Sequence, residues 1–412
     1  MNGFVKHSLL LFMALRVGDV VNLAAGMWFV PKYVSPEEIG AVLPLTSFAT
    51  FLSLPIFAFA MTVMKESAWL AANGERGKIK SLLFGVFAAA AVVTAAVLVA
   101  SAAAIPRFLA AMRVSDFSAG YLVVAAAFLG CVAPVYTDAL QSLRRFKALG
   151  AIEIAGSLAR FATMFVAMPL RALAGYFAGQ AVLPAFRMAA SAFALRKDLS
   201  VPAEPFWNRA TVRRMLAAFA AILAYQAAPM AASLVEQSVL RTTLSSADSA
   251  GYYMVSRFSD FLYYLTFPLM LVMFPYTAAA ASKGGSTKPF VARCSAVTLA
   301  AATAMAGAYF FFGKEILSLM PHGADYAEYA SYMPWLVAIT ALTSCQVFQT
   351  NAEVSAGRFG FLAWLIPLHA VYAAALWIAA AAGLVATLPS MLVWFGAISA
   401  ARFAFAARGV LF

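Results

Sequence analysis

Long apolar runs follow one another from end to end of this chain, each broken only by a few charged, glycine or proline residues. A run of about 20 apolar residues is as long as the hydrocarbon core of a bilayer is thick. Inside hydrocarbon every backbone N–H and C=O must find its partner within the protein, which leaves helices as the way to use such runs. The breaks delimit spans near 8–30, 38–64, 81–105, 119–141, 149–169, 173–195, 214–237, 250–275, 290–312, 329–350, 359–383 and 387–407. That accounts for most of the 412 residues and leaves only short connections. Composition gives the same answer: 64% of residues are hydrophobic and 11% charged, against roughly 45–50% and about 25% in soluble domains. An all-α polytopic membrane protein with about twelve transmembrane helices is expected.

Positive charge sorts the breaks into two sets. One holds Lys65, Arg76, Lys78 and Lys80; Arg144, Arg145 and Lys147; Arg196, Lys197, Arg209, Arg213 and Arg214; Lys283, Lys288 and Arg293; and Arg358. With Lys6 and Arg408 it collects eighteen of the 29 basic residues, against six in the alternate set. By the positive-inside rule both termini and the first set face the cytoplasm. The net charge of +12 therefore encodes topology, and no basic tail or aromatic-interleaved basic domain points to nucleic acid. Lys6 precedes an apolar stretch, but Arg16 and Asp19 interrupt it, so the N-terminal segment reads as a retained first span. Cys131, Cys294 and Cys345 lie in apolar runs without CxxC spacing and read as small buried hydrophobes. His7, His322 and His369 stand far apart, so neither a metal site, a cofactor nor a catalytic group is expected, and the chain reads as a non-enzyme. His369 alone falls within a span, as an interior histidine.

The longest hydrophilic break, from Arg196 to Arg214, divides the chain in half. Gly40 and Gly74 find counterparts in Gly251 and Gly285 at one offset, and Thr137-Asp138-Ala139 matches Thr350-Asn351-Ala352 at nearly the same offset. Two six-span repeats of like orientation follow, related by a pseudo-two-fold axis along the membrane normal. The expected organisation is an N-terminal lobe over 1–196, a cytoplasmic linker over 197–213 and a C-terminal lobe over 214–412.

Several segments carry a resemblance. Tyr-Val-Ser-Pro-Glu-Glu-Ile-Gly at 33–40, Ser-Ala-Gly-Tyr-Tyr-Met-Val-Ser-Arg-Phe at 249–258, Phe-Pro-Tyr-Thr at 274–277 and the segment from Leu140 to Gly150 are similar to motifs of one family. The chain resembles the polysaccharide exporters and lipid-linked oligosaccharide (O-antigen, Wzx-type) flippases of the multidrug/oligosaccharidyl-lipid/polysaccharide (MOP) superfamily, which share a MATE-like fold. Lys65-Glu66 departs from the pattern, standing where the family often has an arginine, and the loops are shorter than usual. The resemblance implies a bacterial inner-membrane protein moving an undecaprenyl-diphosphate-linked oligosaccharide during lipopolysaccharide and other surface polysaccharide biosynthesis, with the polysaccharide assembly machinery as a partner. It also places Arg257 where family members often carry an arginine.

Charged and polar residues within the spans are the candidates for substrate contact, because an Arg at the bilayer centre costs at least about 2.5–3.5 kcal/mol. Arg16, Asp19 and Asn22 form a stripe along the first span, and Gln226, Pro229, Ser233 and Glu236 form one along the seventh. Arg257 and Asp260 repeat the three-residue spacing of Arg16 and Asp19. Arg160 lies deep in the fifth span with Glu153 two turns earlier, whereas Arg187, near Gln180, and Arg402 lie close enough to span ends to reach the interface. Gln346 and Gln349 offer neutral hydrogen-bonding groups suited to sugar hydroxyls, and Asp19 and Glu236 are candidates for ion coupling. Gly175 and Gly179 form a small-xxx-small pair suited to close helix packing within a lobe. Together these residues suit an alternating-access flippase with an arginine-lined cavity. The alternatives are an extrusion-type cation antiporter on the same fold, whose cavity should be acidic, and a membrane glycan polymerase or ligase, which needs a larger external loop. Cysteines introduced at Arg76, Arg145, Arg209, Lys288 and Arg358 should resist impermeant thiol reagents in intact cells and react after permeabilisation; ready labelling at any two overturns this topology.

Overall fold

The computed structural model describes residues 13, 16–21, 23–72, 74–143, 145–282, 285–356 and 358–411. Among them the regular structure is helical. Helix α1 is described over 16–21 and 23–33 and includes a π-helical turn at Ala25–Phe29. Then come the short α2 (Pro36–Ile39), α3 (Val42–Ala72), α4 (Arg76–Ala102), the short α5 (Ile105–Ala111), α6 (Phe117–Ser142) and α7 (Phe146–Leu195). The second half holds α8 (Arg209–Thr243), α9 (Ser246–Ser282), α10 (Lys288–Leu317), α11 (Met333–Ser355), α12 (Leu362–Ala381) and α13 (Leu388–Leu411). Helix α7 breaks at Arg171 and Ala172, where φ/ψ become −144°/28° and 32°/−108°. With its two arms counted separately, twelve long helical segments stand among the described residues, as the apolar runs require. Among the described residues six helices, α7 counted as one, contain windows long and apolar enough to cross a membrane on length and hydropathy alone.

Helix ends differ from the expected spans for local reasons. The second span was expected to stop near residue 64, at Lys65-Glu66, but α3 runs on to Ala72 and stops before Gly74, whose φ is +75°. The Glu66 carboxylate lies 2.8 Å from Arg214 Nη2, so that charge is met without ending the helix. The fifth and sixth spans form the two arms of α7. Pro169, which lacks an N–H, sits two residues before the break.

The chain divides into two compact units. The first comprises residues through Val34 and Pro44–Met230. Its core joins Val63 and Leu70 of α3, Leu82 and Val86 of α4, Val135 and Leu140 of α6, and Ile152 and Leu195 of α7. The two arms of α7 pack closely because Gly175 faces the backbone of Ala167 and Met168, and Gly179 faces the Met164 side chain. The small-xxx-small pair is thus a packing device within one unit. Residues 202–208 have no regular secondary structure and lie along the start of α4. Lys80 Nζ donates to the Val201 carbonyl at 3.0 Å, and Trp207 Nε1 donates to the Ser81 carbonyl at 3.0 Å. Gly77 and Gly85 leave room for Glu204 and Trp207. Asp198, nearly buried, is gripped by Arg145 at 2.8 Å.

The second unit comprises Ser35–Leu43 and Ala231–Phe412. Arg241, in the last turn of α8, is fully buried and donates to the Glu37 carbonyl of α2. Gly40 approaches Ser249 so closely that any side chain there would collide with it. The segment 35–43 is therefore held by α8 and α9. Between α10 and α11, Tyr329 packs its ring on Gly251 and donates to Asp248 Oδ1 at 3.0 Å. Burial and that carboxylate push the Tyr329 phenol well above the ordinary tyrosine range.

Two glycines on helices test this packing. In Gly175→Ala the new methyl meets backbone, and overpacking of this kind costs about 1–3 kcal/mol. Nothing lies within 4 Å of a methyl at Gly307, so Gly307→Ala should leave the unfolding temperature level or slightly raised. Thermal unfolding of the purified protein should show a clear fall for Gly175→Ala only.

Candidate functional site

Three arginines of the first unit gather around one carboxylate. Arg16 Nη1 lies 2.8 Å from Asp19 Oδ2, the i,i+3 pair read from the sequence. Asp19 also feels the positive charges of Arg160, on the first arm of α7, and Arg187, on the second. Arg160 is buried and donates from Nη2 to the Gly18 carbonyl at 3.1 Å. This approach needs Gly18, because a methyl there would come within 2.9 Å of Ser157 Oγ. Arg187 is paired with Glu153, so folding α7 back on itself brings the two charges together. The set contains three guanidiniums and two carboxylates. Its side chains are partly accessible: Arg16 is 21% exposed, Asp19 31% and Arg187 33%. Asn22, which would extend the stripe, lies outside the described residues.

The second unit holds a more balanced cluster. Glu236 of α8 faces Arg402 of α13, with Nη2 at 3.9 Å, and the Tyr372 phenol of α12 is turned toward the same carboxylate. The Arg402 guanidinium also lies over the Tyr372 ring at 6.0 Å. One turn before Tyr372, buried His369 places Nδ1 2.7 Å from the Leu365 carbonyl. Arg257 pairs with Asp260 at 3.0 Å and sits 5.1 Å from the centre of the Tyr253 ring. Gln346 is buried and donates to Thr350 Oγ1 at 3.3 Å, and Gln349 is buried one turn further along α11. Gln226 is half-buried on the part of α8 that belongs to the first unit, so the expected stripe from Gln226 to Glu236 is shared between the two units.

Three expectations are corrected. Glu153 does not serve Arg160, two turns away on the same arm, because Arg187 takes that carboxylate across the kink. Arg187 accordingly does not reach for the interface beside Gln180. Arg402 does not snorkel either: it is 8% exposed and turned inward to Glu236. In both cases a buried carboxylate on another segment gives the guanidinium a better partner than the interface. The sequence reading also missed Gly18, Tyr372 and Arg241. His369 and Tyr372 on one face of an otherwise apolar helix were the available signal for Tyr372; Arg241 looked like an ordinary loop cation.

The first cluster has the chemistry of an anion site. Guanidinium forks match phosphate oxygens in pairs, and a partly dehydrated setting strengthens each contact. Among the described residues no group of three or more His, Cys, Asp or Glu is placed to hold a metal ion.

No protein-family model matches the chain, and no curated protein matches it either. Solved structures do. A multidrug resistance MATE family transporter of the MOP superfamily in its inward-facing conformation superposes with a TM-score of 0.75 at 14% identity, covering 96% of this chain and 93% of that one. The fold is that of the MATE transporters of the MOP superfamily. An outward-facing MATE family transporter gives 0.64 at 14% identity, with 98% and 95% covered. A MOP superfamily transporter from Pyrococcus furiosus, described as having a binding pocket of reverse polarity that suggests a different function, gives 0.68 at 13% identity over 98% and 95%. The MATE-like fold, the twelve long segments and the apolar helices together make this a multi-pass membrane protein.

The Glu153–Arg187 pair can be separated from the rest of the cluster. Glu153→Gln leaves a guanidinium short of its partner and should cost roughly 1–3 kcal/mol, read as a fall of several degrees in unfolding temperature. The double variant Glu153→Gln/Arg187→Gln should lose clearly less than the sum of the two single variants; additive losses would mean that the two side chains do not act as a pair.

Proposed function

We propose that this protein is a flippase that carries a polyprenyl-diphosphate-linked oligosaccharide across the bacterial inner membrane by alternating access, for cell-surface polysaccharide assembly. The observation that carries the reading is the cluster around Asp19, with three guanidiniums to two carboxylates. A diphosphate with sugars attached has no affordable path through hydrocarbon on its own. A partly open cluster of arginines stabilises that headgroup, while the polyprenyl tail stays in lipid. Arg16, Asp19, Arg160, Gln226, Glu236, Arg257, Asp260, Gln346 and Gln349 are the proposed substrate-facing set, with Asp19 and Glu236 as coupling groups. The lobes at 1–196 and 214–412, joined by 197–213 and related by a pseudo-two-fold axis, are the moving parts, with both termini cytoplasmic. The resemblance to lipid-linked oligosaccharide flippases supports the same substrate class and an association with polysaccharide assembly enzymes.

A cation antiporter is the competing reading, since MATE family transporters described by multidrug resistance share the fold. Against it stands the charge: each span-borne carboxylate described here already faces an arginine, as in Asp19–Arg16, Glu153–Arg187, Glu236–Arg402 and Asp260–Arg257.

Geranylgeranyl diphosphate and tetraphenylphosphonium serve as opposed probes of the purified protein in lipid nanodiscs. The diphosphate should bind saturably and the cation should not. Arg16→Ala and Arg160→Ala should each weaken the diphosphate about tenfold, equivalent to about 1.4 kcal/mol, and Lys at either position should restore part of it, since a point charge lacks the bidentate fork. Saturable binding of the cation, lost in Asp19→Asn or Glu236→Gln, would replace the flippase reading with the antiporter.

A further inference from the structure

The second unit contains a cleft that the arginine clusters do not explain. It opens among the last turns of α11, the start of α12 and the last turns of α13, with a volume of about 250 Å³. Gln349, Thr350 and Glu353 line one side, Phe361 and Trp364 another, and Ala406 closes it. Gln349 is only 6% exposed, and its Oε1 accepts no hydrogen bond among the described residues. A buried acceptor left in that state is costly unless something outside the protein satisfies it. One turn beyond it, Glu353 takes Arg358 Nη2 on Oε1 at 2.8 Å. The carboxylate still has lone pairs to offer, yet the pair is neutral as a whole. The Trp364 indole lies nearly parallel to the Phe405 ring, at 17° with centroids 5.8 Å apart, which fixes it as a flat apolar plate.

We infer that this cleft binds one neutral sugar ring. Its hydroxyls donate to Gln349 Oε1 and to the Glu353 carboxylate, and its C–H face lies on Trp364. The acceptors call for a ligand rich in donors. The Glu353–Arg358 neutrality selects against a free ion, and an ethanolamine headgroup would need a carboxylate that is not already paired. Drug-sized pockets start at about 300 Å³, so the volume suits a single ring rather than a chain. The inference deepens the proposed function and rests on it only for the source of the sugar, the glycan of the lipid-linked cargo.

Saturation-transfer NMR with methyl hexopyranosides tests this on the full-length protein in nanodiscs free of glycolipid and of sugar-based detergent. At least one of methyl glucoside, galactoside, mannoside or N-acetylglucosaminide should bind in the millimolar range. Gln349→Leu should weaken it about tenfold, and because it removes the orphan acceptor it should leave the unfolding temperature level or higher. Trp364→Phe should weaken binding less than Trp364→Ala, with both proteins folded by the same thermal criterion. Absence of saturation transfer to all four glycosides overturns the inference, whether or not glycerophosphoethanolamine shows it, as does a signal unchanged in both Gln349→Leu and Trp364→Ala. Glycoside binding is measured separately from geranylgeranyl diphosphate binding, so the two readings fail independently. Loss of the first alone removes this cleft, and loss of the second alone removes the flippase.

Discussion

A guanidinium inside a bilayer is costly enough that the group which meets it decides where its helix can lie. In this protein the arginines within the spans, and Arg241 at the end of α8, are met by several kinds of partner. Arg16 and Arg257 find carboxylates one turn along their own helices. Arg187 and Arg402 find theirs on other segments. Arg160 and Arg241 are held by backbone carbonyls, at Gly18 and Glu37. The last four tie together pieces of chain that are distant in sequence. Arg160 reaches Gly18 where α1 meets α7, beside the rings of Phe29 and Phe161, and the segment 35–43 is joined to α8 where Arg241 reaches Glu37. Apolar packing in a bilayer supplies little preference for one neighbour over another, since lipid tails are as apolar as leucine. Arginine partners and glycine contacts supply the preference instead.

The break in α7 shows how backbone and charge cooperate. Pro169 removes one helical hydrogen bond, Ala172 turns to a φ of 32°, and the second arm folds back along the first. That fold-back places Gly175 and Gly179 against Ala167 to Met164 and brings Arg187 to Glu153. A left-handed φ at alanine is strained by roughly 1–2 kcal/mol. The close packing and the ion pair offset it. The same turn carries Arg160 and Arg187 toward Asp19, so the candidate anion site follows from the way this one long helix is bent.

What was legible in the sequence follows the range of each interaction. The twelve segments could be read because helix-length apolar runs are a local property, and the pairs Arg16–Asp19 and Arg257–Asp260 because i,i+3 spacing fixes proximity on any helix. The close packing of Gly175 and Gly179 was legible for the same reason. Partners far apart in the chain were not: Arg187 and Glu153 are 34 positions apart and Arg160 and Gly18 are 142 apart. No local pattern says which of several buried carboxylates a guanidinium will find. The end of α3 was misjudged because Lys65-Glu66 looks like an interface, although Glu66 is answered by Arg214 from a distant helix. Gln349 was singled out for its chemistry, but the cleft that gives it meaning needs Trp364 and Phe405, on two other helices, to be in place.

The two candidate sites differ in the chemistry that they offer. Around Asp19 the guanidiniums outnumber the carboxylates, and the side chains remain partly accessible, which suits a dianionic group that gains from several forks at once. Around Gln349 the charges cancel, an acceptor waits unsatisfied and an aromatic plate is fixed in place, which suits hydroxyls and a C–H face. A lipophilic organic cation would be served by neither: the first cluster repels it, and the second offers no unpaired carboxylate. Under the proposed function, a lipid-linked glycan would offer a diphosphate to the first and a sugar ring to the second. A cation antiporter would need to explain each of them away.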